Sequence, residues 1–178
     1  MDAGLSDVIY PRLLGPAFAT LPLPLRSIHA RSGRCLYRGE VEVVRGRGAL
    51  ATLCAWTTRL PPNGRGVIEV EIDAADTRET WTRRFGRRRM ASCLWARDGL
   101  LHERLGMLRF GFKLEIEDDV IVWRVERVRA LGMRLPRRWF AGVQAREFER
   151  EGRYCFDVVA ALPGVGLLVG YRGWLHVG

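Results

Sequence analysis

Apolar and polar residues alternate with a period of two over most of the chain beyond its first third. The cleanest run is LRFGFKLEI, in which Leu108, Phe110, Phe112, Leu114 and Ile116 fall on one face. That period matches the pleat of a β-strand, whose successive side chains leave opposite faces. In VIEVEID, Ile68, Val70 and Ile72 alternate with Glu69, Glu71 and Asp73. In RCLYRGEVEVVRG, Cys35, Tyr37, Val41 and Val43 oppose Leu36, Arg38, Glu40 and Glu42. RYCFDVVAAL sets Tyr154, Phe156, Val158, Ala160 and Leu162 together. Each run predicts a half-buried strand. Between the runs stand turn signals: Pro61-Pro62-Asn63-Gly64, Asp76, Asp98-Gly99, Gly106, Asp118-Asp119 and Glu151-Gly152.

The start of the chain has another rhythm. LSDVIYPRLLGPAFATLPLPLRSIHA predicts two short helices. Ser6 or Asp7 can cap the first, and Leu13, Leu14, Phe18 and Leu21 recur at helical spacing. Leu50, Leu53, Cys54 and Thr57 do so again in GALATLCAWTTRL, and LGMRLPRRW predicts an irregular connection with a helical turn. The sum is an α+β, mostly β chain of about nine or ten strands, with helices confined to its first third. Short hairpins imply an antiparallel sheet, and one this wide curls or closes into a barrel-like meander to hide its edges. A START-like helix-grip is the alternative fold. It closes with a long C-terminal helix, whereas GLLVGYRGWL reads as a strand. One domain is expected over residues 1–178, with 1–33 as a helical segment packed on the sheet.

Composition changes this picture in one respect. Lys+Arg 29 against Asp+Glu 20 gives a net charge of +9, and every cation but Lys113 is arginine. An excess of this kind favours anionic partners, or reflects genome composition. Arg87-Arg88-Arg89 and Arg137-Arg138 are the runs that could meet phosphates. No RRM, KH or helix-turn-helix signature accompanies them, so nucleic acid is not the expected partner. Cys35, Cys54, Cys93 and Cys155 are far apart, with no C-x-x-C, and read as free thiols of a cytoplasmic protein. Neither a secretory leader nor a transmembrane segment is read.

Candidate chemistry is sparse. His29, His102 and His176 lack metal-ligand spacing, and His102, beside Glu103, is the best placed of them. RGRGAL and LPGVGLLVGYRG match neither the phosphate-loop nor the dinucleotide fingerprint. No cofactor and no metal are therefore expected. The carboxylate pairs Glu69/Glu71, Glu115/Glu117 and Asp118/Asp119 read as outward strand residues and a turn.

ETWTRRFGRRRM is more informative, because Glu79, Trp81, Arg83 and Phe85 share one strand face. Two aromatics there imply a covered face, on which a Glu and an Arg must find partners. Arg172 and Trp174 repeat the alternation in YRGWL, and Arg146 and Glu147 belong to a neighbouring strand. A curled sheet with apolar walls and a few convergent polar groups is how small-molecule cavities are lined. The expected site has Arg83 and Arg172 meeting an anionic head group, with Trp81, Phe85, Trp95, Trp123 and Trp174 along the wall. The opposing reading is a salt-bridge cluster in a filled barrel.

ETWTRRFGRRRM, GLLHERLGMLRFGFKLEIED, LGMRLPRRW, AREFEREGRYCFDV, GLLVGYRGWL and the N-terminal LLGPAFATLPLPLRSIHA, in this order, resemble the bacterial family called domain of unknown function 4166. Its members stand alone or attached to saccharopine-dehydrogenase-like enzymes. The resemblance implies an accessory or ligand-binding role, with a separate NAD(P)-dependent dehydrogenase as a partner, and supplies no catalytic residue. The lead expectation is a non-enzymatic module for an apolar or amphipathic, lipid-like ligand.

Overall fold

A computed structural model of the chain describes residues 8–49, 51, 52, 62–75 and 77–178. The chain opens with helix α1 (Ile9–Leu14), a 3-10 turn (Gly15–Thr20) and helix α2 (Leu23–His29). Eleven strands follow: β1 (Gly33–Arg45), β2 (Gly64–Ala75), β3 (Arg78–Phe85), β4 (Arg88–Arg97), β5 (Leu100–Leu105), β6 (Leu108–Glu117), β7 (Val120–Ala130), β8 (Met133–Leu135), β9 (Gly142–Arg150), β10 (Arg153–Leu162) and β11 (Gly166–His176). The expected helical spacing at Leu50, Leu53, Cys54 and Thr57, the cap at Ser6 or Asp7 and the turn at Asp76 lie outside the described residues.

Ten of the strands close an antiparallel barrel in chain order: β1 to β7, then β9 to β11, with β11 returning to β1. The first-to-last seam runs from Arg38↔His176 to Arg45↔Val169. Closure leaves no free edge between first and last strands, which is how an antiparallel meander avoids edge-to-edge association. The helix-grip alternative is set aside, because the sheet closes on itself through β11 and β1. LGMRLPRRW is more regular than the sequence suggested: it forms β8, folded back on β7, and a 3-10 turn at Arg137–Phe140. That turn sits where β7, paired with β9 only over Ile121–Arg124, parts from it. Phe140 of the turn is buried and meets Phe110 edge-on at 6.0 Å.

The hairpins follow from local chemistry. Asp98-Gly99, Asp118-Asp119, Leu131-Gly132 and Glu151-Gly152 carry positive φ at both central positions. Two-residue turns of this hand match the twist of the flanking strands. Gly39 and Gly173 serve the seam. A Cβ on Gly39 would stand 1.8 Å from the Trp174 carbonyl oxygen, and one on Gly173 would stand 2.2 Å from that of Glu40.

The two ends of the barrel differ. Helix α1 packs against β4, β5 and β6, and α2 against β9 and β10. Ile9, Tyr10, Leu25, Ile28 and His29 are thereby buried at the end where β1 begins. The opposite end carries the β3–β4, β5–β6, β7–β8 and β10–β11 turns.

Candidate functional site

The inward residues of the strands enclose a cavity of about 400 Å³. Its wall is mainly aliphatic and aromatic, and the polar side chains that reach it are Arg83, Glu103, Gln144, Glu147, Tyr154 and Tyr171.

The helical end is a buried polar plug. His29 comes to the interior because it follows Leu25 by four residues, on the apolar face of α2. Its Nε2 lies 2.6 Å from Glu147 Oε2, and its ring stacks on Tyr10 at 3.5 Å. The Tyr10 hydroxyl donates to Glu147 Oε1 at 3.4 Å. Beside them the Trp81 indole N–H donates to Glu79 Oε2 at 2.7 Å. Glu79 and Glu147 are only 4% and 3% exposed. A carboxylate so buried needs donors, and each has one or more. Burial pushes the Glu79 carboxyl above its ordinary value, with the Trp81 hydrogen bond working against the rise. Burial likewise lifts the Tyr10 and Tyr154 hydroxyls well above theirs.

Along the wall from this plug stands Arg83. Its guanidinium lies 5.1 Å over the Trp81 ring, and Nη1 donates to Ser92 Oγ at 3.0 Å. Nη2 is 3.9 Å from Glu103 Oε1, an ion pair too long to be a hydrogen bond. Of five N–H donors, only one is hydrogen-bonded to a side chain among the described residues. The Trp123 indole N–H is also buried without a partner among the described residues. Both Arg83 and Trp123 line the cavity.

The expected site residues divide between the two faces. Glu79, Trp81, Arg83 and Phe85 are alternate inward residues of β3, and Trp81 and Arg83 line the cavity with Trp123 of β7 and Glu147 of β9. Glu79 sits in the plug, and Phe85 meets Tyr171 edge-on at 6.4 Å. Arg172, Trp174, Arg146 and Trp95 are not part of this wall. Arg172 and Trp174 sit opposite Glu42 and Glu40, the outward carboxylates of β1, while Tyr171, Gly173 and Leu175 take the inward phase. Arg172 binds Glu42 at 2.9 Å on the outer surface. Arg146 is exposed opposite Asp157. Trp95 stacks outside on His102 at 5.4 Å, with Arg109 above it at 5.3 Å. The Arg/Trp alternation of β11 copies that of β3 in composition but has the opposite phase, and a one-residue change of phase exchanges faces.

Residues absent from the expected set complete the interior: Glu103, Ser92, His29, Tyr10 and Tyr154. Glu103 was detectable, since it shares the phase of Leu101 and Leu105 in LLHERL. Pairing of Tyr10 and His29 with Glu147, more than a hundred positions away, leaves no local signal.

Among the described residues, no group of three His, Cys, Asp or Glu is placed to hold a metal ion. No described helix is long and apolar enough to cross a membrane. Comparison with curated proteins finds no match. The family described as Domain of unknown function (DUF4166) matches residues 21–175, nearly the whole chain, and the chain belongs to that family.

Proposed function

We propose that this protein is a binding module that holds a small amphipathic molecule inside the barrel, its apolar body along the aromatic and aliphatic wall and its anionic head at Arg83. The observation that carries this reading is a buried, cavity-lining guanidinium with one side-chain hydrogen bond and one long ion pair. Burying an arginine costs free energy that folding alone would minimise by full pairing. Donors left available at the wall of an otherwise apolar space suit a carboxylate or phosphate head. The volume of about 400 Å³ falls in the range of small-molecule sites.

The test is equilibrium binding of a fluorescent fatty acid and of the matching neutral fatty alcohol to purified, delipidated protein. Both should bind the wild type, the acid more tightly. Arg83→Ala should weaken the acid by about tenfold or more, as expected for a charge-assisted hydrogen bond, and change the alcohol little. If neither probe binds, the cavity is not a lipid site. If Arg83→Ala weakens both equally, Arg83 is not the head-group residue.

A further inference from the structure

We propose that the end of the barrel opposite the helices docks on a membrane surface containing anionic phospholipid. Arg104, Arg109, Arg129 and Arg134 form a row on the outer face of four adjacent strands. Arg104 opposes Arg109, Arg109 opposes Arg129, and Arg129 opposes Arg134. All four are exposed, and among the described residues none has a carboxylate within ion-pair distance. Neighbouring strands lie about 4.8 Å apart, so the row sets the backbones of four arginines within about 14 Å, the Arg109 guanidinium lying over Trp95. Like charges directly opposed across strands destabilise a sheet, so the row is unfavourable for folding. An external layer of phosphates would reverse that sign.

The turns beside the row are apolar where a solvated turn should be polar. Met107, Leu131 and Met133 are 57%, 71% and 64% exposed. They are neighbours, because the Leu131 amide donates to the Met107 carbonyl at 3.4 Å and Met133 pairs with Ala130. Leu131 also holds φ +51°, a left-handed conformation that favours Gly, Asn or Asp. A strained, exposed leucine beside two exposed methionines gains nothing in water. Exposed apolar side chains with a polybasic patch are the two signals that together hold a protein on a lipid surface.

Further cations lie at the docking end. Arg87 in the β3–β4 turn and Arg88 and Arg89 at the start of β4, all exposed, stand at the same end. The opposite turns are mixed in sign: Asp98 pairs with Arg97 and Arg127, Glu117 pairs with Arg124, and Arg150 and Arg153 stand beside Glu149 and Glu151. An anionic surface therefore engages the end whose arginine row has no paired carboxylate among the described residues, in preference to the mixed end. Met107 and Leu131 also line the interior cavity, so docking sets its mouth against the bilayer. A nucleic acid would use the arginines but would leave the leucine and methionines unexplained.

Vesicle co-sedimentation of the full chain, without added amphiphile, tests the surface separately from the interior site. Wild type should bind phosphatidylcholine vesicles that contain phosphatidylglycerol, lose affinity as salt rises, and leave pure phosphatidylcholine unbound. Arg129→Gln with Arg134→Gln should cut binding at least about tenfold, with melting no lower than wild type because two opposed like charges have been removed. Met107→Ser with Leu131→Ser should also reduce binding, with the salt dependence kept. Equal binding to both kinds of vesicle, wild-type binding by the arginine variant, or displacement of vesicles by a single-stranded oligonucleotide would each overturn the proposal.

Discussion

Glu79 shows how a single buried carboxylate writes itself into the pH dependence of the fold. Its folded pKa is raised above the ordinary 4.5 by burial. A raised carboxylate stabilises the fold fully below its unfolded pKa and loses that contribution as pH climbs through the folded value. Glu79→Gln keeps an oxygen for the Trp81 N–H and removes the ionisation. Denaturant unfolding should therefore show wild type most favoured relative to Glu79→Gln below pH 4.5, and progressively less so as pH rises. A difference that grows with pH would show that Glu79 is paired as an anion. At the same scale Arg83 differs from Arg172, although both sit between aromatics in sequence. Arg83 stands in the interior with spare donors, and Arg172 is spent on Glu42 outside.

At the scale of elements, α1 and α2 are held to the barrel by a few groups. His29 and Glu147 form a buried pair, Tyr10 adds a longer hydrogen bond, and Leu25 and Ile28 fill the surrounding space. Removing one member of a buried pair costs more than the pair itself contributes, because the other is left unpaired. Glu147→Ala should destabilise by about 3–5 kcal/mol, Glu147→Gln by less, and Tyr10→Phe by about 1 kcal/mol or less. Chemical denaturation would rank the three. If Glu147→Ala costs no more than Tyr10→Phe, the helices are held by apolar packing alone. These helices were legible from the spacing of Leu13, Leu14, Phe18 and Leu21 and from Pro22 and Pro24. Their docking was not, since Glu147 shows nothing in sequence to tie it to α2.

For the whole molecule, closure is the decisive event. The β1–β11 seam joins the first strand to the last, and it depends on two glycines whose missing side chains admit the opposing backbone. Gly39→Val meets backbone that cannot move aside, so it should cost about 3 kcal/mol or more. Gly170→Ala, whose Cβ would meet nothing nearer than 3.9 Å, should be nearly neutral. Thermal melts of the two variants separate a constrained seam from a tolerant one. A bound amphiphile acts on the same cooperative unit. At a hundred times its dissociation constant it should add about 2.7 kcal/mol, raising Tm by roughly 5–10 °C for a chain of this size. An unchanged Tm under those conditions would count against interior binding.

What the sequence determined by itself is local. A period of two in LRFGFKLEI and VIEVEID dictates strands, because only an extended chain sends alternate side chains to one side. Gly, Asp and Pro at the junctions dictate tight turns, and the density of such hairpins dictates an antiparallel meander. The inward face of β3, with Trp81 and Arg83, was legible for the same reason. What only the tertiary structure decided is which phase faces inward where the pattern is ambiguous, as in β11, and which residues of different strands stand side by side. That depends on register carried across the seam, and register is a property of pairs of strands. It sent Arg172 and Trp174 outward beside Glu42 and Glu40, brought Glu103 to within 3.9 Å of Arg83, and aligned Arg104, Arg109, Arg129 and Arg134 in one row. Each of those arginines looks ordinary within its own strand, and only the pairing of neighbouring strands concentrates their charge.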